Sequence, residues 1–223
     1  YHAVGGPWMQ LFWPFGRFRH YRLLPDALSP DQLAAAREAI IGSPYMAPNN
    51  LNQRFAGTYG FTLVFTREGI EAVAARFPDF MPFLEKALRP ECNAFFLNPL
   101  LIANGAAVLP HVDLSLQTYV PGCRTPRFVS VLYVEVPAGL EGGDLKLYEG
   151  THRVATVTPR ERAVLTFRGD LKHEVTAVVA GAPDIYNARL SLVVEQYQLT
   201  DLQLAHVPQL QLGSRREELA AEA

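Results

Sequence analysis

The sequence predicts a mainly β protein of the α+β class, a sandwich or jelly roll of strands with helices packed outside it. Two observations lead to this prediction. From residue 93 onward, short segments rich in β-branched and aromatic residues alternate with Gly or Pro clusters. Before residue 93, apolar residues recur mainly at helical spacing. No linker-like stretch divides the 223 residues, so a single domain over 1–223 is expected.

Residues 1–92 are expected to form a supporting, substrate-facing part of helices and strands. Ser29 is an N-cap residue, Pro30 suits the first helical position, and Gln32 stands three residues after the cap. Gly42 is a helix stop at the end of this periodic stretch. The other elements expected here are strands at 17–24 and 58–65, a long loop at 43–57, and helices over 67–77 and 83–88.

Residues 93–199 are expected to form the β core, and residues 200–223 a C-terminal tail. The polar segment GSRREELAAEA at the very end indicates a loose helix. The strands expected in the core are NAFFLNPLLIA, RFVSVLYVEV, DLKLYE, RVATV, RAVLTFRG, HEVTAVVAG and ARLSLVVEQYQL.

Composition and charge exclude several classes of protein. The formal net charge is −2, so the chain lacks the basic surplus of nucleic-acid-binding proteins. No apolar run approaches the roughly 20 residues that span a bilayer, so no membrane partner is expected. Cys92 and Cys123 form no CxxC pair, which argues against a disulfide framework or a thiolate zinc site and favours a reducing, cytoplasmic setting. The oligomeric state is left open.

A histidine and a carboxylate stand two residues apart in the apolar stretch VLPHVDLSL, as His111 and Asp113. In an extended segment such residues point to the same side, so both can hold one ion. His173 opens a later strand, 173 − 111 = 62 residues further on. Two imidazoles and one carboxylate form the facial triad typical of non-haem Fe(II) sites. The alternative is that the short H-x-D pattern arises by chance and both groups are satisfied locally.

An arginine lies inside the apolar strand NARLSLVVEQY, as Arg189, with Ser191 on the same face. A buried arginine is costly unless it meets an anion, and its planar fork suits a carboxylate. The alternative is a solvent-facing arginine on an edge strand, paired with Glu195 or another acid.

The order of H-x-D, a distal His and R-x-S resembles the Fe(II)- and 2-oxoglutarate-dependent oxygenases. The segments RFVSVLYVEVPAGLEGGDLKLYEG and VTPRERAVLTFRGDLKHEVTAVVAG also resemble the corresponding parts of that family. The resemblance covers residues 93 to about 199 and implies a double-stranded β-helix, a cupin-like jelly roll. It further implies that His111, Asp113 and His173 bind Fe(II).

The same resemblance assigns the cosubstrate contacts. Arg189 is implied to hold the distal carboxylate of 2-oxoglutarate, with Ser191 assisting, and Asn98 and Tyr133 are further candidates, although Tyr133 equally suits a core aromatic. The interval from His173 to Arg189 is longer than in the compact form of the family, because the turn at 181–188 is enlarged. Lys172 and Arg168 are the alternative anion sites if the register differs. For the substrate itself the loop residues Arg124 and Arg127 are candidates, the alternative being solvated loop charges.

The activity that the resemblance implies is hydroxylation of an unactivated C–H bond, with release of succinate and CO2. The expected substrate is a small molecule or amino-acid derivative; the alternatives are a protein or peptide side chain, as in prolyl hydroxylases, or a non-enzymatic cupin-like binding module. Fe(II) is the expected metal, 2-oxoglutarate and O2 are the cosubstrates, and ascorbate is a further candidate cofactor. Related halogenases lack the metal-binding carboxylate, so Asp113 argues against halogenation.

Overall fold

The structure is a computed structural model that describes residues 19–49, 51, 53–179 and 188–215. In chain order its strands and helices are β1 (Tyr21–Leu24), α1 (Pro30–Ile41), β2 (Ala47–Pro48), β3 (Thr58–Gly60), β4 (Thr62–Thr66), α2 (Ile70–Arg76), α3 (Met81–Ala87), β5 (Ala94–Ile102), β6 (Val108–His111), β7 (Phe128–Glu135), β8 (Glu141–Gly142), β9 (Leu145–Glu149), β10 (His152–Val157), β11 (Val164–Arg168), β12 (Lys172–Val175), β13 (Val178–Val179), β14 (Arg189–Tyr197), α4 (Asp201–Leu204) and β15 (Leu210–Gly213). Single 3-10 turns lie at Gln53–Phe55, Arg67–Gly69, Pro78–Phe80 and Ser115–Thr118.

Helix α1 begins where the sequence predicted. The Ser29 hydroxyl accepts a hydrogen bond from the backbone N–H of Gln32 at 3.2 Å, and the Gln32 side chain accepts one from the Ser29 N–H at 3.0 Å. This capping box satisfies two backbone donors that a helix start leaves without partners. The helix ends at Gly42, also as predicted.

The largest antiparallel sheet, called the major sheet, has the strand order β1-β11-β7-β14-β5-β3-β2. Strand β4 also pairs with β5, and β15 pairs with β4. A smaller sheet, called the minor sheet, has the order β10-β9-β12-β6. Strands β8 and β13 form a separate pair. The predicted jelly-roll architecture of mainly β type, with helices outside it, is confirmed.

Strand β14 lies in the middle of the major sheet, between β5 and β7. Its two faces differ because side chains alternate along a strand. Leu190, Leu192 and Val194 belong to the core shared with the helices, together with Leu33 of α1. The other face, which begins with Arg189, is turned toward the minor sheet and lines a cavity between the sheets.

Three N-terminal and C-terminal expectations are modified. The expected loop at 43–57 contains β2 and a 3-10 turn, and the expected strand at 58–65 is divided at Phe61 into β3 and β4. The expected tail is structured over 201–213, where α4 is followed by β15, because Leu210 and Leu212 pack against the helix-side core.

Residues 1–18, 181–187 and 216–223 lie outside the described residues, and with them most of the expected turn at 181–188 and of the final helix. In the part of the chain that the structure describes, no helix is long and apolar enough to cross a membrane.

Candidate functional site

The minor sheet brings His111, Asp113 and His173 together. Strands β6 and β12 are neighbours, and His173 is the register partner of His111. The Nε2 atom of His111 lies 3.3 Å from one Asp113 oxygen, and the Nε2 atom of His173 lies 3.5 Å from the other. One donor atom from each residue falls within 4.8 Å of the other two, so a single ion can contact all three. All three residues are buried.

Each imidazole ring is oriented by the backbone carbonyl two residues earlier in the chain. The Nδ1 atom of His111 lies 2.7 Å from the Leu109 carbonyl oxygen, and that of His173 lies 3.1 Å from the Leu171 carbonyl oxygen. Because a carbonyl only accepts, each Nδ1 carries the hydrogen and each Nε2 keeps its lone pair for a metal. The predicted donors therefore present two imidazole nitrogens and a carboxylate oxygen, a set that fits Fe(II).

Aromatic rings pack against both histidines of the triad. Phe55 meets the His111 ring edge to face, with centroids 5.0 Å apart, and Phe167 meets the His173 ring in the same way at 5.0 Å. The two imidazoles themselves have centroids 4.3 Å apart. Such contacts restrict ring rotation and keep bulk water away from the ligand atoms.

The three side chains of the triad shift one another's pKa values. Burial would raise the pKa of Asp113, but His173 and His111 outweigh burial and lower it. Burial lowers the pKa of His173, with Asp113 opposing it. For His111, burial also acts to lower the pKa, but the hydrogen bond and charge of Asp113 prevail and raise it. Asp113 is thus held as a carboxylate between two imidazoles.

A cavity of about 460 Å³ extends from the triad between the two sheets. Four residues of β14 line it in succession on one face: Arg189, Ser191, Val193 and Glu195. The cavity therefore has a cationic end at the start of β14 and a carboxyl-bearing end near its finish.

The cationic end contains buried polar atoms that the protein leaves without partners. Arg189 is only 2% exposed, and its Nε has no hydrogen-bond partner among the described residues. The Ser191 hydroxyl also has no partner there, whereas the Tyr133 hydroxyl, beside it in the sheet, interacts with the Arg189 guanidinium. The Arg189 guanidinium carbon stands 5.2 Å from the centroid of the Tyr133 ring. Unsatisfied buried donors are costly, so this group of donors fits a carboxylate-bearing ligand such as 2-oxoglutarate.

Gly143 makes room for the arginine. Its φ of +67° lies in the left-handed region, and a Cβ atom there would stand 2.9 Å from Cδ of Arg189. A glycine at position 143, in the sequence Gly142-Gly143-Asp144, is therefore required both by the backbone conformation and by the path of the Arg189 side chain.

The remaining predicted site residues differ in placement. Asn98 lines the cavity, but its amide nitrogen donates to the Phe61 carbonyl at 2.8 Å. Tyr133 is buried behind Arg189 and is absent from the cavity wall. Arg124 and Arg127 are exposed and lie outside the cavity, and Arg127 donates to Gln198 instead. The structure thus gives the two loop arginines no contact with the site.

The alternative interpretations of Arg189 are not supported by its surroundings. It lies on a central strand, and Glu195, six residues further on, is bonded to Ser115 and Tyr197. Of the alternative anion sites, Arg168 forms ion pairs with Glu149 and Asp170. Lys172 is exposed.

Sequence reasoning missed the role of Glu195 in the cavity. This carboxyl is only 4% exposed, although it lies at the opposite end of the cavity wall from Arg189. Burial raises its pKa well above the usual range, and the charge of Asp113 adds to the effect. The period-two pattern of β14 was sufficient to place Glu195 on the face of Arg189 and Ser191.

Comparison with known proteins gives matches among solved structures. No family model matches the chain, and no curated protein matches it. A 2OG-Fe(II) oxygenase family oxidoreductase from Burkholderia pseudomallei superposes with a TM-score of 0.54 at 17% identity, covering 81% of this chain and 86% of that one. A viral collagen prolyl hydroxylase from Paramecium bursaria Chlorella virus-1, solved as a 2OG complex, gives 0.52 at 14% identity, covering 82% and 97%.

A third match is a prolyl hydroxylase from Trichoplax adhaerens in complex with a hypoxia inducible factor peptide fragment. It gives a TM-score of 0.51 at 13% identity, with 83% of this chain and 86% of that chain covered. This chain shares their fold. At such identities the likeness concerns the fold, which is the double-stranded β-helix that the sequence resemblance implied.

Proposed function

We propose that this protein is an Fe(II)- and 2-oxoglutarate-dependent oxygenase that hydroxylates an unactivated C–H bond of a small molecule or amino-acid derivative. The observation that carries the proposal is the pairing, within one cavity, of a buried His-Asp-His set with a buried arginine that lacks a partner for its Nε. The shared fold with solved oxygenases supports it.

Each residue of the site has a distinct task. His111, Asp113 and His173 would hold Fe(II) on one face and leave its other coordination positions open. Arg189 and Ser191 would bind the distal carboxylate of 2-oxoglutarate. Fe(II) with 2-oxoglutarate and O2 supplies the oxidation of the C–H bond, with succinate and CO2 as coproducts. Burial of the triad excludes water and strengthens these electrostatic contacts.

The ligand set favours hydroxylation over halogenation. In the resembling halogenases the carboxylate is absent, whereas Asp113 here contacts both imidazoles and stays ionised. An intact set of metal donors and an anion anchor also argue against a binding module without activity, because such a module has no need of either group.

A peptide side chain is the second candidate substrate. Two large apolar side chains are exposed around the metal-binding segment: Leu109 is 53% exposed and Leu114 39%, and Leu114 lines the cavity. Exposed apolar residues beside a site are typical of a surface that receives a partner. The peptide-bound prolyl hydroxylase of the same fold is consistent with this candidate.

The test begins with metal and cosubstrate binding. Anaerobic addition of Fe(II) and 2-oxoglutarate should give a weak visible charge-transfer band. His111→Ala should abolish the band, whereas His152→Ala, which removes an exposed histidine at the start of β10, should leave it intact. A band that survives His111→Ala contradicts the metal assignment.

The substrate is then sought with a panel of small molecules and peptides. Succinate formation is measured with O2 present and with or without ascorbate as a reductant. Product masses are measured by mass spectrometry. Gain of one oxygen indicates hydroxylation, and loss of two hydrogens indicates desaturation. Binding of Fe(II) and 2-oxoglutarate without substrate-dependent succinate formation for any member contradicts the oxygenase proposal for those substrate classes.

A further inference from the structure

We propose that the end of the cavity opposite Arg189 binds a positively charged nitrogen of the substrate, an ammonium or guanidinium group, through the Glu195 carboxylate. The inference rests on the proposed oxygenase function in calling this ligand the substrate. It narrows the substrate class to amines and guanidines.

The first argument is position. Arg189 and Glu195 lie on the same face of β14, and six residues at about 3.3 Å each separate their Cα atoms by roughly 20 Å. A short diacid bound at Arg189 is therefore too short to reach Glu195. The Glu195 end remains for a second ligand, and its Ser115 partner follows the metal-binding residue Asp113 by two positions.

The second argument is charge. Glu195 accepts hydrogen bonds from the Ser115 hydroxyl at 2.5 Å, from the Ser115 N–H at 3.4 Å and from the Tyr197 hydroxyl. All three donors are uncharged, and within the described ranges no lysine, arginine or histidine forms an ion pair with this carboxyl. Without a cation partner, burial raises the pKa of this carboxyl, and a bound cation would favour the ionised carboxylate. Since it offers about four acceptor positions and uses three, one is left for a ligand.

Two partly buried acids elsewhere in the protein have cation partners. Glu135 pairs with Arg37 at 2.7 Å, and Glu174 lies 3.4 Å from the Lys146 ammonium. Glu195 is more deeply buried than either of them and has only neutral partners. Of these three acids, the one that faces the cavity is thus the one without a cation.

The third argument is the composition of the surrounding wall. Phe96 is the register partner of Glu195 across β5 and lines the cavity, as does the half-buried Tyr119. Aromatic faces beside a carboxylate are a common way to bind ammonium and guanidinium groups. An anionic substrate group would be repelled by Glu195, and a neutral apolar group would leave its charge unpaired.

A purely structural role for Glu195 predicts something different. Through Ser115 it connects β14 to the turn that follows Asp113, so it could act by positioning that metal ligand. Glu195→Gln separates the two roles, because glutamine keeps a carbonyl oxygen for Ser115 but loses the charge. If the role of Glu195 is structural, the substitution should alter metal affinity. If Glu195 binds the substrate, the substitution should alter the preference for cations.

The experiment measures probe binding by calorimetry on the full chain loaded with Mn(II) and 2-oxoglutarate under anaerobic conditions. The probes are benzylamine with benzyl alcohol, and butylguanidine with butylurea, each pair differing in charge. The wild type should bind the charged member of each pair about tenfold more tightly. Glu195→Gln should bring the two members close to parity while Mn(II) affinity is kept, and the surface control Glu85→Gln should behave as wild type.

Three results would overturn the inference: equal binding of charged and neutral probes by the wild type, an undiminished preference in Glu195→Gln, or loss of the preference only together with Mn(II) affinity. If Glu195→Gln fails to fold, Tyr119→Leu takes its place and should weaken charged probes about threefold relative to neutral ones. Amine binding with no succinate formed would contradict the oxygenase proposal alone. Succinate formation with no preference for amines would contradict this inference alone.

Discussion

The two sheets contribute to the site in opposite ways. On the minor sheet, His111 and His173 donate from Nδ1 to the backbone carbonyls two residues earlier, and Asp113 contacts both rings. On β14 of the major sheet, Arg189 and Ser191 present buried atoms with no partner in the described chain. The fold itself therefore assembles the proposed metal-binding face, whereas the proposed anion end has polar atoms that a ligand would satisfy.

This difference has an energetic consequence. Removing a member of the triad breaks contacts that exist without any ligand. Removing Arg189 takes away a buried charge whose Nε has no hydrogen-bond partner in the described chain. Substitutions on the two sheets should therefore differ in how they affect the ligand-free protein, as well as in which ligand they lose.

The largest effect is expected for Asp113→Ala. Loss of a metal donor should weaken Mn(II) or Fe(II) affinity by more than about a hundredfold, beyond the roughly 10–100-fold typical of losing only a ligand's hydrogen-bond partner. Metal affinity measured by calorimetry or Mn(II) EPR checks this. The exposed Asp31→Ala is the matched control and should bind metal normally. Unchanged affinity in Asp113→Ala would place the metal elsewhere.

Arg189→Met should weaken cosubstrate binding and leave metal binding intact, the opposite of Asp113→Ala. Methionine fills a similar volume without charge, so 2-oxoglutarate affinity should fall about tenfold or more, because the charge-assisted bonds are lost. Metal affinity should be kept. Without ligand, the free energy of unfolding should stay equal or rise by about 1–4 kcal/mol, as when other buried charges give way to apolar residues.

The control for this variant is Arg124→Met, which removes an exposed arginine outside the cavity. It should change neither 2-oxoglutarate affinity nor stability appreciably. Titration calorimetry and denaturant unfolding measure both quantities. If Arg189→Met lowered stability strongly but left 2-oxoglutarate binding intact, the contrast between the two sheets would be wrong.

A smaller effect is expected for Gly143→Ala. The new Cβ would strain a backbone at φ +67° and stand 2.9 Å from the Arg189 side chain. The free energy of unfolding should fall by about 1 kcal/mol or more. The 2-oxoglutarate affinity should fall severalfold, because the arginine must move. Gly122→Ala shares the positive φ in open space, so it should cost stability only. Equal 2-oxoglutarate affinity in both variants would show that Gly143 serves the backbone alone.

The sequence was most informative where alternation and chemistry coincide. His111 with Asp113 and Arg189 with Ser191 were placed on common faces because strands repeat every two residues, and the structure brings each pair to the cavity. Glu195 obeys the same rule. The sequence suggests it only as the partner in the alternative of a solvent-facing Arg189, since one-dimensional spacing does not show that Ser115 arrives from another segment.

Loops and termini were less predictable. Arg124 and Arg127 follow the triad in sequence, but the chain carries them to an exposed position away from the cavity. Strand β15 was expected to be part of a tail, because its pairing with β4 spans most of the chain and leaves no local signal. Contacts between distant segments decided both outcomes.

The smallest effect concerns a second arginine, Arg168, which unlike Arg189 has carboxylate partners in the protein. It donates hydrogen bonds to Asp170 at 2.6 Å and to Glu149 at 2.9 Å, and its side chain is partly exposed. Arg168→Gln should leave 2-oxoglutarate affinity unchanged and lower the melting temperature by a few degrees at most, since exposed ion pairs contribute little. A loss of 2-oxoglutarate affinity would instead identify Arg168 as the anion anchor.

The pH dependence of this variant has a defined sign. The hydrogen bond from Arg168 lowers the pKa of Asp170, so their pairing stabilises the fold above the ordinary aspartate pKa of about 3.9. The contribution is lost as the pH falls through the lowered value. The melting temperatures of wild type and Arg168→Gln should therefore differ at pH 7 and converge toward pH 2, where Asp170 is protonated in both. A difference that persists or grows in acid would mean that Arg168 stabilises the fold through packing of its aliphatic stem.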